Sequence, residues 1–525
     1  MPKITNEIAW LIDVYRHESA KPIPEDVAKI KLSQLVSKLG FFYEKIRNAI
    51  EYNEEHLIRR NSVERILRRQ ILFLMEKDPV KISTAIIHEF IRARYLPNDA
   101  LPETIIDELS KTIGKYLTIL SKLPNSQKLS KWIVGIAACE INDQLNPIEK
   151  EMAVANLMYS HLVDNLHFTK NHLNEKEKNL QIYLAVLRTL LKADSTTLRF
   201  ALLKLYLPNW TKNEPTEIEN FCQNFSNVRN KIEKNIAHPL GFQLSRAIRP
   251  QSVFFNVLRE MLDKNKEKLE EIFTQPEILA EKIKAVAQEN YQKVRSKLVG
   301  TIFRVIIYIL FTKTILAFIL ELPYDYIFIG VVNWQALTIN VIFHPVLMFI
   351  IAMTIRVPGA KNTQIIINEI KKIVYGEERK LVFKPKGLMK RGSTSFFVFN
   401  AIYLVMFAVS FGIILAILKN LHFNLISGVL FIFFLTIVSF FGFRLRNIAK
   451  QFSVIPRKDN LANFIVDFVS LPVIRVGRFF STNFSRINIF LYILDFIIET
   501  PFKALVEFLE GAVSFINEKR EEIND

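Results

Sequence analysis

Residues 396–418, FFVFNAIYLVMFAVSFGIILAIL, and residues 421–443, LHFNLISGVLFIFFLTIVSFFGF, contain no Asp, Glu, Lys or Arg. A soluble helix of that length shows a charged face to water, whereas roughly 20 apolar residues are what a helix needs to cross ~30 Å of hydrocarbon. Two further runs, Leu298–Leu322 and Ile327–Ile355, are long enough to cross as well. The sequence therefore predicts four transmembrane helices, at 298–322, 327–355, 396–418 and 421–443.

The flanks orient them. Lys282, Lys284, Lys293, Arg295 and Lys297 lead into the first run, ten lysines and arginines crowd loop 356–395, and Arg444, Arg446, Lys450, Arg457 and Lys458 follow the fourth. The alternate links hold none in ELPYDY and only Lys419 between the third and fourth runs. Lys and Arg near a span stay on the cytoplasmic side, so both termini are expected in the cytoplasm, with two hairpins reaching outward. This placement also accounts for much of the net charge of +17 without nucleic acid. The opening MPKITNEIAWLIDVYRHESAKP carries acids and no sustained apolar core, and does not read as a signal peptide. Cys139 and Cys222 are the only cysteines, which excludes a disulfide framework and a thiolate metal site.

Residues 1–297 keep apolar positions at three- and four-residue spacing and predict an all-α cytoplasmic domain, interrupted at YLPNDALPE, KLPNSQK, YLPNWTKNEPTE and IRPQS. Residues 444–525 predict an interfacial tail. IVDFVSLPVIRVGRFF and INIFLYILDFIIETPF are short and broken by Asp467, Pro472, Arg475, Asp495 and Glu499, so they read as helices in the interface or against the bundle. The stripe Phe502, Leu505, Val506, Leu509, Val513 and Ile516 has acidic residues opposite and suits a partner helix. The loop helix NTQIIINEIKKIVYG is amphipathic and basic, and is expected on the inner membrane surface. The fold class is thus all-α: a large helical cytoplasmic domain, a four-helix transmembrane region and amphipathic C-terminal interfacial helices.

Motifs for chemistry are sparse. Arg59, Arg60, Arg65, Arg68 and Arg69 share one helix, yet Glu55 and Glu64 stand four residues from Arg59, Arg60 and Arg68, which predicts a salt-bridged helix rather than a nucleic-acid surface. His161, Asp164 and His167 stand three apart on an expected helix and form a loose metal candidate; surface or half-buried polar residues are the preferred reading. The position four after His88 is Arg92, which breaks the zinc-protease pattern, and TIGKYL around Gly114 and Lys115 lacks the rest of a phosphate loop. No catalytic motif and no cofactor signature is present, so enzymatic activity has no positive support.

Polar residues at lipid depth form the sharper candidate. Asn333, Asn340 and His344 fall on one side of the second span, and the first contributes Arg304 and Lys313. A hairpin turning at Pro323 and Tyr324 would set Lys313 near Asn333 and Arg304 near His344. With no acid inside the spans and Glu321 at the outer end, such a site would attract an anion. The competing view is structural. Arg304 can snorkel, a central Lys is tolerated for ~3 kcal/mol, and Asn or His can satisfy the Val341 carbonyl that Pro345 frees. Ala408, Gly412 and Ala416 recur every four residues in the third span and permit close helix approach, including self-association. Packing is the preferred reading.

The segments YEKIRNAIEYNEEHLIRRNSVERILRR and VIRVGRFFSTNFSRINIFLYILDFIIETPFK resemble an uncharacterised multi-pass membrane protein family of reduced-genome candidate-phyla bacteria. The resemblance implies a bacterial plasma-membrane location and supplies no catalytic residue and no ligand. Function is therefore expected to be that of a membrane-anchored scaffold or interaction protein whose partners are the lipid bilayer and other protein, with a small transporter, channel or lipid- or anion-handling protein as the alternative.

Overall fold

The computed structural model describes residues 4–16, 28–32, 41, 44–45, 55–169, 174–377, 380–384, 393–455 and 461–486, with 508, 511–512 and 515 beyond them. Helix makes up 82% of it, which settles the all-α class. The only strands among the described residues are two of three residues each.

In chain order the helices are α1 (Asn6–Arg16), α2 (Glu55–Leu67), α3 (Pro79–Arg92), α4 (Thr104–Lys122), α5 (Gln127–Leu145), α6 (Glu149–Asn165), α7 (Glu175–Thr189), α8 (Ser195–Tyr206), α9 (Pro215–Gln223), α10 (Phe225–Ile236), α11 (Pro239–Lys264), α12 (Leu269–Thr274), α13 (Pro276–Leu316), α14 (Trp334–Met353), α15 (Ala360–Tyr375), α16 (Ser393–Asn420), α17 (Leu425–Ala449) and α18 (Leu461–Arg486). Strand β1 (Leu166–Phe168) pairs in parallel with β2 (Leu381–Phe383), Leu166 opposite Leu381.

The chain divides into two compact units. The first holds residues 10–248 and β2. Some of its helices start on side-chain caps: Asp78 accepts from Val80 N at the head of α3, and Asp194 from Thr197 N at the head of α8, each satisfying an N–H that the first turn leaves free. The core forms as α5 packs on α2, α4 and α8, burying Ile133, Ile136, Ile141, Leu198, Leu202 and Trp210.

The second unit holds residues 249–380 and 384–487 together with 1–9. Four helices in it are long and apolar enough to cross a membrane. They are the helical run Pro276–Ile329, α14, the Phe397–Asn420 part of α16, and α17. Their outer surfaces expose Phe303, Phe311, Ile315, Leu404, Ile413 and Val429, an apolar belt that in water would be a liability and in lipid is the matched solvent. Inside, Leu298, Ile309, Met348, Val438 and Leu445 form the core. Gly442 lets α17 approach α14, since a Cβ there would come within 2.7 Å of Ile351.

Two expectations meet a different geometry. The first helix does not turn at Pro323 and Tyr324: Pro323 sits in the first turn of the short helix Leu322–Tyr324, where its missing N–H is tolerated, and the chain continues through a π-helical segment, Asp325–Ile329, to Gly330, whose φ of 77° makes the turn. Tyr326, Phe328 and Trp334 are exposed at this tip. The basic loop helix α15 turns its apolar face inward rather than to lipid, with Ile366, Ile370 and Val374 buried and Asn362 Nδ2 donating to Tyr291 Oη of α13 at 2.8 Å. Residues 461–486 form one continuous helix packed on α17 and α16, which is the placement against the bundle that the sequence left open beside the interface, while INIFLYILDFIIETPF lies outside the described residues. The C-terminal stripe from Phe502 to Ile516 lies largely outside the described residues.

Candidate functional site

Inside the membrane-type bundle the polar residues of four helical segments converge. Lys313 of α13, Glu321 of the π-helical segment Ala317–Glu321, Asn340 and His344 of α14 and Ser427 of α17 are all buried, four of them at 0% exposure and Ser427 at 2%. Lys313 Nζ donates to Asn340 Oδ1 at 2.5 Å and sits 4.6 Å from the ring centroid of Phe434. Asn340 Nδ2 donates to Glu321 Oε1 at 2.6 Å, and Ser427 Oγ to Glu321 Oε2 at 2.9 Å. The asparagine amide, donor at one end and acceptor at the other, thus bridges a cation to an anion.

His344 ties α14 to α17. Its Nδ1 lies 3.1 Å from the Asn340 carbonyl oxygen and its Nε2 3.0 Å from that of Phe431. Both neighbours only accept, so a neutral ring satisfies one and an imidazolium both. The ring does not serve the Val341 carbonyl that Pro345 frees, contrary to expectation. Toward the tip, Asn333 caps α14 by accepting from Ala336 N at 3.1 Å, donates to the His422 carbonyl at 3.2 Å, and its N–H approaches Asp325 Oδ2 at 3.4 Å. Asn424, capping α17 through Ser427 N at 2.7 Å, donates to Asp325 Oδ1.

The structure therefore gathers Lys313, Asn340 and His344, and places Asn333 in an adjoining capping cluster. Arg304 stays apart and exposed, its Nε donating to the Gly300 carbonyl at 3.0 Å. The acid absent from the sequence-based site is Glu321. It stood at the expected edge of the span, and only the onward run of helix to Ile329 puts it inside. Ser427, Asp325 and Asn424 were likewise missed; an Asn or Ser at the first turn of an apolar helix reads as a cap and not as part of a network.

A second buried lysine lies in the helical domain. Lys115 of α4 donates to Glu140 Oε1 of α5 at 2.6 Å and to the Trp210 carbonyl at 2.9 Å. The other carboxylate oxygen accepts from Tyr116 Oη at 2.5 Å and Trp210 Nε1 at 2.9 Å. Burial holds the Lys115 ammonium below the usual lysine range, with the Glu140 carboxylate pulling it back. This is a core strut, not a remnant phosphate loop. Cys139 next to it is inert, its thiol pushed up to about 12 by burial.

The remaining candidates disperse. Asn165 ends α6 and His167 lies exposed on β1, so His161, Asp164 and His167 lose the common helix that their spacing presumed. Among the described residues no group of three His, Cys, Asp or Glu side chains converges to hold a metal ion. Arginines of α2 and of the π-helical segment Arg68–Phe73 after it have acidic partners: Arg60 meets Glu64 at 3.5 Å and Asp194 at 2.9 Å, Arg65 meets Glu44 at 3.1 Å, and Arg68 and Arg69 pair with Glu64 and Glu89. A small cleft by Arg188, His238 and Phe242 is held by Arg188 Nη2, which donates to the Ile236 carbonyl at 2.7 Å.

Fold and site together define an all-α membrane protein with four helices apolar enough to cross a bilayer and a buried ionic network among them. No protein-family model, curated protein or solved structure matches the chain.

Proposed function

We propose that this protein is a membrane-anchored scaffold or interaction protein: its apolar helices cross a bacterial plasma membrane and hold the N-terminal helical domain in the cytoplasm, where it meets protein partners. Closure of the buried network carries this reading. Asn340 Oδ1 and the Phe434 ring take the Lys313 ammonium, both Glu321 oxygens accept, and both His344 nitrogens face carbonyls, so the network is satisfied from within and Lys313 is not held open for a cargo anion. The basic flanks supply the orientation, with loop 356–395 on the cytoplasmic side. Ala408, Gly412 and Ala416 lie exposed on α16, and a Cβ on Gly412 would meet nothing within 4 Å, so this stripe is free for self-association between copies.

The alternative, a small transporter, channel or lipid- or anion-handling protein built on the same polar residues, has one observation in its favour. Two π-helical segments, Ala317–Glu321 and Asp325–Ile329, end and begin on buried acids, and π-helix is concentrated at functional sites. Vesicles holding the full chain or its Lys313→Met/Glu321→Leu/Asn340→Leu variant separate the two. For a scaffold, neither protein raises proton, chloride or phosphate flux above that of empty vesicles, and both cross-link the same partners in cells. Flux with the unmodified chain that vanishes in the variant transfers the conclusion to the transporter.

A further inference from the structure

We infer that α18 is a fifth membrane-crossing helix, its exposed apolar face occupied by lipid acyl chains and its Arg486 end at the membrane face opposite loop 356–395. The inference rests on the reading of α16 and α17 as spans and extends it. Depth is fixed by contact. A Cβ on Gly477 would lie 1.9 Å from the Thr436 carbonyl oxygen, so α18 and α17 are in backbone contact there. Three residues on, Phe480 meets Phe433, three residues back along α17, with ring centroids 5.3 Å apart. Opposite steps along the two chains mean antiparallel pairing. Thr436 is near the middle of α17, Leu425–Ala449, so Gly477 lies at mid-depth. From there α18 runs on to Arg486, ~14 Å at 1.5 Å per residue, and ends level with Ser427 near the head of α17.

A second contact agrees. The Arg475 guanidinium carbon lies 4.9 Å from the ring centroid of Tyr403, near the middle of α16. α16 packs more extensively on α18 than on α17, so α18 is the helix that ties α16 to the bundle. The outer face of α18 exposes Phe464, Ile465, Val466, Val469, Leu471 and Phe479, continuous with the belt on α16 and α17. Asp467, Pro472, Arg475 and Arg478 hide the span from any hydropathy window. The arginines are accommodated by the Tyr403 ring face and by stems long enough to snorkel.

Depth measurement tests this in the full chain carrying Cys139→Ala and Cys222→Ser, reconstituted in phosphatidylcholine–phosphatidylglycerol vesicles. Nitroxides are placed singly by Phe464→Cys, Leu471→Cys and Phe479→Cys, and their relaxation is read against oxygen and a water-soluble nickel chelate. A crossing helix puts the Phe479 label deeper than the Phe464 label by ~16 Å, with both open to oxygen. Equal headgroup-level depths at all three sites overturn the proposal, as does a Phe479 label shielded from oxygen, which would mean that protein, such as a second copy, covers the face. Labels at Val405→Cys in α16 and Val429→Cys in α17 are the control. Deep controls with shallow α18 sites reject the fifth crossing alone, and shallow controls reject the membrane reading itself.

Discussion

Lys115 and Lys313 are both buried among helices and reach their carboxylates by different routes. Lys115 touches Glu140 directly, and Tyr116 and Trp210 complete the shell. Lys313 reaches Glu321 through the amide of Asn340. The difference follows the surroundings. In the helical domain, burial of Ile133, Ile141, Leu202 and their neighbours drives assembly, and the ion pair fixes which packing is adopted. In a bundle whose outer solvent is lipid, apolar packing gives no such drive between helices, so polar ties between them carry more of the association. An amide that donates and accepts joins α13, the turn beyond it, α14 and α17 with one side chain.

The largest effect is expected at the direct pair. Lys115→Met leaves the Glu140 charge buried and lowers unfolding stability by ~3–5 kcal/mol, read as a fall in melting temperature, while Lys115→Met/Glu140→Leu recovers much of it. No recovery in the double variant would remove the account of this pair as a strut. Next comes Asn340→Leu, which strands both Lys313 and Glu321 and costs ~1–3 kcal/mol or more for each unpaired group. The Lys313→Met/Glu321→Leu/Asn340→Leu variant strands no charge but loses the tie, so in detergent it should melt between Asn340→Leu and the parent. A triple variant as stable as the parent would mean that the network does not tie the helices.

Gly477→Leu forces α18 off the Thr436 carbonyl, at a cost of ~1–3 kcal/mol, and should free α16 from the bundle, as seen by faster proteolysis of the 450–460 link. The smallest effect belongs to an ion pair near the domain surface. Hydrogen bonds from Arg199 and Trp132 hold the Glu233 carboxyl below its ordinary value although burial opposes them. A depressed carboxyl stabilises the folded chain above its unfolded pKa of about 4.5 and loses that contribution as pH falls from there toward the folded value. Glu233→Gln should therefore cost under ~1 kcal/mol at pH 7, with the gap to the parent closing below pH 4.5. A gap that stays constant into acid would show the pairing to be idle.

What could be read from the sequence divides along the same line. Uncharged runs announced the apolar helices because nothing else explains them, and Lys313, Asn340 and His344 stood out as polar residues inside such runs. Their partner did not. Glu321 beside Leu322 and Pro323 looks like the end of a helix, and hydropathy carries no sign that π-helical segments will extend it. The offset changed the pairing level, bringing Asn340 rather than Asn333 to Lys313 and leaving Arg304 alone. α15 was misplaced, and α18 was left open between the interface and the bundle, for a related reason. Amphipathicity reports that a face must be covered, and only the fold shows whether lipid, α13 or α17 covers it.

The tip at Gly330 has a mechanical consequence. Tyr326, Phe328 and Trp334 project around it largely exposed, with Tyr324 stacked on Phe328, and rings of this kind favour the headgroup layer over either water or oil. They act as a float line. When the surrounding bilayer is made thinner, the outer rim should hold its height and the misfit should be absorbed at the opposite end, where snorkelling arginines and lysines give way more readily.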